Sequence, residues 1–557
     1  MNLFKIKSLL LFTLISALVL SSSYIFISTV HDLQFTNSEY FKDQALSYRI
    51  KSNKLKASRG NIYDTNLNVV ASSSRSFNIG VFPKQISNVG EVSAAIGVIL
   101  NLDQEKILEK IVSSDRFFYL KRNIEFNAGE EIKSWNLDGI VLEPSYMRHV
   151  HSESLKKIIG KVDPDENGIE GIEYYFNSNL EGTDGEIKYE ASPNGRMIPQ
   201  AEVKTIQPIH GQDLILTIDS DLQYLSEGLC EDALIRTEAL NCSIVFSNAN
   251  SGEILIAAEK QSQNKQSYDI DLISLRAIYE PGSSLKIFSI GAGIEYGLID
   301  ESTKFVVNDF IEVIEGSCAK NYEGFKACYR DFLNHEPYEL SVMEIIERSS
   351  NVGTILATQN LNIDYLEEYL MKFGFGEPTG VELTGELPGG FRDYNTCATC
   401  LSSLSIGYSI NVTQLQMIRA YSIIANGGRD VNLSMVKKES TSLDNEQIIS
   451  YESANRLKKL LINVVDGENG TGRSLRLENY IIGGKTGTSK THIEGVGYSD
   501  FRYNTSFTGF IETSKGPVVG SVILWGASVN PRSEYVTGGS TAAPIFKNIV
   551  SNLVPGE

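Results

Sequence analysis

The stretch Glu280-Pro281-Gly282-Ser283-Ser284-Leu285-Lys286 organises the rest of this chain. Pro281 and Gly282 make a turn, and Leu285, Ile287, Phe288, Ile290 and Ala292 then leave the next segment apolar on nearly every face. A helix that is apolar all round belongs in a core. If the helix starts at the turn, Ser283 falls in its first turn and Lys286 one turn later, so hydroxyl and amine share a face. A serine hydroxyl is a weak nucleophile until a base removes its proton. A lysine serves as that base only when burial or a neighbouring cation keeps it neutral. A dry helix with a serine at its mouth provides that setting.

Ser-x-x-Lys is a short pattern, and alone it reads as a capping serine with a surface lysine. Two further clusters decide the matter. Glu344 to Arg348 reads as a helix that ends in Ser349-Ser350-Asn351, followed by Val352-Gly353. The plain reading is a helix cap. The functional one is a second hydroxyl to relay a proton and an amide to hold a substrate amide. Farther on, Tyr480 to Thr488 reads as a strand with Gly483, Gly484 and Gly487 inside it. Glycine in a strand marks a place where a ligand or another backbone comes close. Lys485, Thr486 and Thr488 there supply a cation and two hydroxyls, a set suited to a carboxylate. Gly484-Lys485-Thr486 is not a phosphate loop, because the required earlier glycine would fall at Asn479.

The chain has 557 residues, a formal net charge of -19 and 42% hydrophobic residues, enough for two or three domains with a sizeable core. So acidic a balance argues against a nucleic-acid partner. Lys5 and Lys7 precede an uncharged run from Ser8 to Val30. About 20 apolar residues cross a bilayer, and flanking lysines keep their end in the cytoplasm. The rival is a signal peptide cleaved near Ser21 to Ser23. The run is too long for a usual signal core, so an uncleaved anchor is expected.

From residue 32 to 208 the sequence shows glycine-punctuated turns and no catalytic constellation. Arg59, Glu170 and Glu173 read as structural ion pairs. Near Ile209 the texture changes: Asp213 to Asp219 alternates as a strand, Ser220 to Leu229 reads as a helix, and Ser243–Asn248 and Ile254–Ala258 as strands. That order predicts an α+β domain with an antiparallel sheet. The expected division is an anchor over 1–31, a non-catalytic domain over 32–208 and a catalytic domain over 209–557.

All six cysteines (Cys230, Cys242, Cys318, Cys328, Cys397, Cys400) lie in the last of these. An even count outside the cytoplasm permits disulfides. Cys318 and Cys328 flank Ala319 to Ala327, whose Asn321 and Gly324 suit a reversal, so these two are expected to pair. Cys397-x-x-Cys400 lacks a second ligand pair of matching spacing, and a metal is not expected.

Ser-x-x-Lys, Ser-x-Asn and Lys-Thr-Gly in this order are shared by penicillin-binding proteins and serine β-lactamases. Glu-Pro-Gly-Ser283-x-x-Lys286, Ser349-Ser-Asn351-Val-Gly and Lys485-Thr-Gly-Thr488 together make the chain resemble a class B penicillin-binding protein. The Arg59-Gly60 strand, the Gly168 to Glu173 turn, Thr217-Ile218-Asp219, Gly407, Thr413-Gln414, Asn426-Gly427, Gly538-Gly539 and Ala543-Pro544-Ile545-Phe546 extend the likeness over nearly the whole chain. There are two departures. Asp64-Thr65-Asn66-Leu67 stands where the family usually has Asp-Arg-Asn-Gly, and Tyr408-Ser409 where Tyr-Gly is common.

The resemblance implies a membrane-anchored transpeptidase domain of serine β-lactamase-like α+β fold, set on an elongated, non-catalytic pedestal. It implies a peptidoglycan D,D-transpeptidase, most like the septal FtsI type, with an elongation enzyme as the alternative. Ser283 would attack the carbonyl between two terminal D-alanines and Lys286 would take its proton. Ser349 would relay a proton to the leaving amine, and Asn351 would hold the substrate amide. Lys485, Thr486 and Thr488 would bind the terminal carboxylate, with Gly487 giving access. No metal or organic cofactor is required. Implied partners are stem peptides, lipid-linked precursor strands, β-lactams, a membrane-embedded glycosyltransferase and division proteins. The implied location is the cytoplasmic membrane, single-pass, with the catalytic domain in the periplasm of a Gram-negative-type cell. A β-lactamase would be shorter and need an extra base for water. An inert scaffold or β-lactam sensor would be expected to lack one of the three motifs.

Overall fold

The structure is a computed structural model that describes residues 3–192, 198, 203–263, 271–319, 327–393, 397–438, 445–493, 497–528 and 536–554. Helix α1 (Leu3–His31) opens the chain. Its 29 residues extend roughly 43 Å at 1.5 Å each, more than a hydrocarbon core of about 30 Å. Leu9, Leu14, Leu20 and Ile25 are exposed along it, each more than half uncovered. Among the described residues nothing covers that apolar surface, and α1 is long and apolar enough to cross a membrane.

Strands β1 (Ile62–Tyr63), β2 (Val69–Val81), β3 (Phe118–Glu125) and β4 (Ile140–Val150) build the sheet of the next unit. β2 pairs antiparallel with β3 on one side and along its length with β4 on the other. Phe77, Ile79 and Val81 on β2 bury against Val92, Ile96, Ile107 and Ile111 of two helices that cover the sheet. The short strand β5 (Leu214–Ile215) joins β1 in parallel, so the chain leaves this unit through its own sheet.

Beneath that sheet sits a charged core. Arg59 Nε donates to Glu173 Oε2 at 2.5 Å, Arg148 Nε donates to Glu173 Oε1 at 2.6 Å, and Glu173 is fully buried. Arg59 also donates to Asn177 Oδ1 and to the Glu166 carbonyl. Glu170 is outside this cluster, at the surface beside Lys161.

Helix α2 (Ser220–Thr237) and strands β6 (Asn241–Asn248) and β7 (Ile254–Gln261) begin the larger unit. Helix α3 (Lys286–Glu295) follows, preceded by a 3-10 turn over Gly282–Leu285. Then come β8 (Cys328–Arg330), α4 (Val342–Arg348), α5 (Asn351–Thr358), α6 (Gln414–Ala425) and α7 (Tyr451–Asp466). Strands β9 (Ile482–Ile493), β10 (Gly497–Thr513) and β11 (Gly516–Ser528) and helix α8 (Ala542–Leu553) complete it.

The main sheet is antiparallel throughout, in the order β7-β6-β11-β10-β9. β11 is central and buried on both faces, which is why Val518, Val519, Val522, Ile523 and Leu524 run without polar alternation. Helices α2 and α8 cover one face, where Cys230, Ala233 and Phe546 pack on Phe246 and Phe507. Helices α3, α6 and α7 cover the other. Phe288 of α3 meets Phe373, Phe375 and Tyr421 edge-on. The helix read as apolar all round is buried over Lys286–Ile294.

All six cysteines are in disulfides: Cys230–Cys242, Cys318–Cys328 and Cys397–Cys400. The expected Cys318–Cys328 pair is present, while the turn at Asn321 and Gly324 lies outside the described residues. The disulfide between Cys397 and Cys400 occupies the two thiols that a metal would need.

Candidate active site

The turn that carries Ser283 is fixed from three sides. Gly282 N donates to the Gly407 carbonyl at 3.0 Å, and Tyr421 Oη donates to the Ser284 carbonyl at 2.7 Å. Gly282 has φ of 54°, and a Cβ there would stand 3.2 Å from the Thr488 carbonyl oxygen. Gly407 is required for a plainer reason: a Cβ would fall 2.0 Å from Gly282 O. Ser283 is half-buried at the mouth of the turn, and Lys286 is completely buried one turn on.

Lys286 does not spend its donors on Ser283. Its Nζ donates to the Ser349 carbonyl at 2.6 Å, to Asn351 Oδ1 at 2.7 Å and, weakly, to Ser349 Oγ at 3.5 Å. Burial pushes the Lys286 amine down to about 7, with the Asp331 carboxylate pulling the other way. At neutral pH a large share of it is therefore a free base.

The second motif is a junction between two helices. Ser349 ends α4 in the left-handed conformation, φ 60°, which lets the chain reverse at once. Ser350 then caps α5, its Oγ accepting from Gly353 N at 2.8 Å. The capping reading of this cluster is realised on Ser350, which leaves the side chains of Ser349 and Asn351 facing Lys286.

Strand β9 carries the third motif past the turn that holds Ser283. A Cβ on Gly487 would stand 2.3 Å from Ser506 Oγ and 3.1 Å from the Pro281 carbonyl, so only glycine fits between the neighbouring strand and the turn. Lys485 is fully buried; burial and then the charge of Lys286 push its amine well below the ordinary lysine value. Its Nζ donates to the Thr486 carbonyl at 3.3 Å. Thr486 Oγ1 donates to Thr471 Oγ1 at 2.8 Å, and Thr488 Oγ1 accepts from Gly538 N at 3.2 Å. All eight residues singled out from the sequence therefore gather around one turn.

Sequence reasoning missed three neighbours. Asp331 is the first, and it is almost wholly buried. Its carboxylate accepts from Ser350 Oγ at 2.7 Å, Asn351 N at 2.5 Å and Val352 N at 3.0 Å, capping α5 in the middle of the second motif. His335 Nε2 lies 3.2 Å behind it. The preceding residue contributes too, since Asn351 Nδ2 donates to the Arg330 carbonyl at 2.7 Å. Asn351 is thereby held at both ends of its amide, by Lys286 and by Arg330. Glu280 is the second, accepting from Ser409 N at 3.1 Å and Tyr498 Oη at 2.7 Å. It lines a cavity of about 590 Å³ with Tyr408, Ser409, Tyr498, Arg392 and Cys397. Thr471 is the third. Of these, only Glu280 had a signal, its place in the quoted motif. Among the described residues no group of three or more His, Cys, Asp or Glu is placed to hold a metal.

Residues 242–551 match the family of the penicillin binding protein transpeptidase domain. The chain is a penicillin-binding protein. Residues 54–216 match the penicillin-binding protein dimerisation domain, the arrangement of a class B penicillin-binding protein. Stage V sporulation protein D of Bacillus subtilis is 27% identical over 548 residues, covering 94% of this chain and 82% of that protein. Peptidoglycan D,D-transpeptidase FtsI of Buchnera aphidicola is 28% identical, covering 84% and 81%. The fold is shared with the crystal structure of penicillin binding protein 3 from Mycobacterium tuberculosis complexed with aztreonam, with a TM-score of 0.64, 24% identity and coverage of 90% and 96%.

Both departures from the family sequence fall at positive φ. Leu67 has φ of 66° and Ser409 φ of 65°, at the two positions of this penicillin-binding protein where the resemblance implies a glycine. Each turn thus holds, in the left-handed region, a residue that carries a β-carbon. At the first, Asp64 accepts from Asn66 N, Asn68 N, Asn68 Nδ2 and Ser220 Oγ. Burial favours the neutral acid there, but these donors outweigh it and hold the carboxyl below its ordinary value. At the second, the backbone N–H of Ser409 serves Glu280.

Proposed function

We propose that this chain cross-links peptidoglycan stem peptides through an acyl-enzyme on Ser283, in septal wall synthesis. The observation that carries the site assignment is the contact of Lys286 with Ser349 and Asn351 at the nucleophile turn, with Thr488 alongside. A buried lysine near 7 is a base of suitable strength at physiological pH. Lys286 takes the proton of Ser283 as its hydroxyl attacks the carbonyl between two terminal D-alanines. The N–H groups of Ser283 and Thr488 receive the oxyanion, a contribution of about 3–4 kcal/mol per donor. Ser349, in reach of Lys286, passes the proton to the departing amine. Asn351 holds the substrate amide, and Lys485, Thr486 and Thr488 bind the terminal carboxylate beside the accessible backbone of Gly487. The amine of a second stem peptide then resolves the ester. β-Lactams follow the same first step and remain on Ser283.

In this reading the chain divides into an anchor over 1–31, a pedestal over 32–208 and the transpeptidase domain over 209–557. Helix α1 leaves its lysine-bearing end in the cytoplasm and the rest of the chain in the periplasm. The septal role is supported by the likeness to FtsI, and it makes division proteins and a membrane-embedded glycosyltransferase the expected partners. Labelling with a fluorescent penicillin tests the core of this proposal. One adduct mapped to the Ser283 peptide is expected, and label that persists in Ser283→Ala overturns it. A fluorescent fusion in dividing cells tests the septal role: a band at mid-cell supports it, and uniform labelling of the side wall overturns it.

A further inference from the structure

The loop between α7 and β9 does more than connect them. Glu347, buried in α4 two residues before Ser349, accepts from Asn469 N at 2.7 Å and from Asn463 Nδ2 at 2.9 Å. Its main-chain carbonyl accepts from Thr471 N at 3.3 Å, and Gly472 N donates to the Val464 carbonyl at 3.0 Å. Packing closes the other side, because a Cβ on Gly467 would lie 2.5 Å from the Glu347 carboxyl and one on Gly539 would lie 2.6 Å from the Thr471 carbonyl. The result of all this fastening is a single hydroxyl, that of Thr471, delivered to Thr486 Oγ1 at 2.8 Å.

We infer that Thr471 is a positioning residue for ligand carboxylate, acting through the Thr486 hydroxyl. The inference rests on the reading that Thr486 meets that carboxylate. A hydroxyl has one proton and two lone pairs. In the free enzyme the Thr486 proton is committed to Thr471, which parks the Thr486 rotamer. When a carboxylate arrives, the Thr486 proton turns to the anion, and the Thr471 hydroxyl turns to donate its own proton to the lone pair that is freed. Hydrogen bonds in such a chain strengthen one another, most of all when the last acceptor is charged. Valine has the shape of threonine but can neither accept nor donate. Because Glu347 holds this loop and lies on the helix that ends at Ser349, the carboxylate site and the proton relay share one mounting.

The test compares second-order acylation of the full-length chain by benzylpenicillin and by its methyl ester, which keeps the reactive ring and removes the charge. In Thr471→Val the acid should react about tenfold more slowly while the ester changes less than about twofold. Thr471→Ser should restore the acid rate. A Thr471→Val that slows both compounds alike, or neither, overturns the inference, as does failure of serine to rescue. Thr486→Val separates this from the reading beneath it. If Thr486→Val lowers the acid-to-ester ratio and Thr471→Val does not, only the role of Thr471 falls. If Thr486→Val leaves the ratio unchanged, both fall.

Discussion

Lys286 Nζ stands 2.7 Å from Asn351 Oδ1, a contact that joins the first motif to the second across 65 residues of chain. The nearer carbonyl of Ser349 shares the same amine. In the proposed mechanism the base is thus held, before substrate binds, by the motif assigned to the leaving group, and the amine is not engaged with Ser283. Apo hydrogen bonds of catalytic groups often form fully only with substrate in place.

A first prediction concerns pH. Only neutral Lys286 accepts a proton, so acylation should rise with pH through about 7 and level off above it. Lys286→Ala should remove acylation by any ester or lactam. Lys485→Ala should slow benzylpenicillin more than an uncharged thioester. A flat profile between pH 5 and 9 (a span that brackets the Lys286 value) would deny that this lysine is the base. Equal slowing of both substrates in Lys485→Ala would instead place Lys485 in the proton relay.

Asp331→Asn removes a charge that favours the protonated form of Lys286. The sign follows: without it the lysine loses its proton more readily, and the acid limb of the profile moves to lower pH. The same change weakens the cap on Ser350, Asn351 and Val352, so the plateau should fall by about tenfold. A lower plateau with an unmoved limb would mean that Asp331 acts only by holding the turn.

Leu67→Gly should stabilise the chain. Leu67 is 63% exposed, so little packing is lost, while the left-handed backbone is relieved of its β-carbon. The net gain should be about 0.5–1 kcal/mol after the extra chain entropy of glycine. Thermal unfolding of both proteins measures it, and a lower midpoint for the glycine variant would refute it.

Arg59→Ala leaves Glu173 fully buried with only Arg148 as counterion. Removing one partner from a buried pair costs about 3–5 kcal/mol. The expected outcome is early unfolding of the pedestal, followed by limited proteolysis, with penicillin labelling of the still-folded transpeptidase domain unchanged. Loss of labelling under conditions where the pedestal stays intact would give Arg59 a part in the chemistry.

The sequence by itself determined what short-range periodicity and turn chemistry encode. Apolarity on every face announced the buried helix after Ser283, and a long uncharged run announced α1. Glycines inside a strand announced the close approach at Gly487, where a β-carbon would meet the Pro281 carbonyl. The order of three motifs fixed the family, and the turn-rich stretch between Cys318 and Cys328 suggested their bond. Tertiary structure alone decided which groups share a hydrogen bond across the chain. Asp331 caps a helix that begins 20 residues later, Glu280 serves an N–H 129 residues away, and Thr471 meets Thr486 only because Glu347 folds a loop onto it. Such carboxylates and hydroxyls carry no periodic signature. Their partners are set by loop closure and by the burial that makes an unpaired polar group costly, and both are properties of the packed chain.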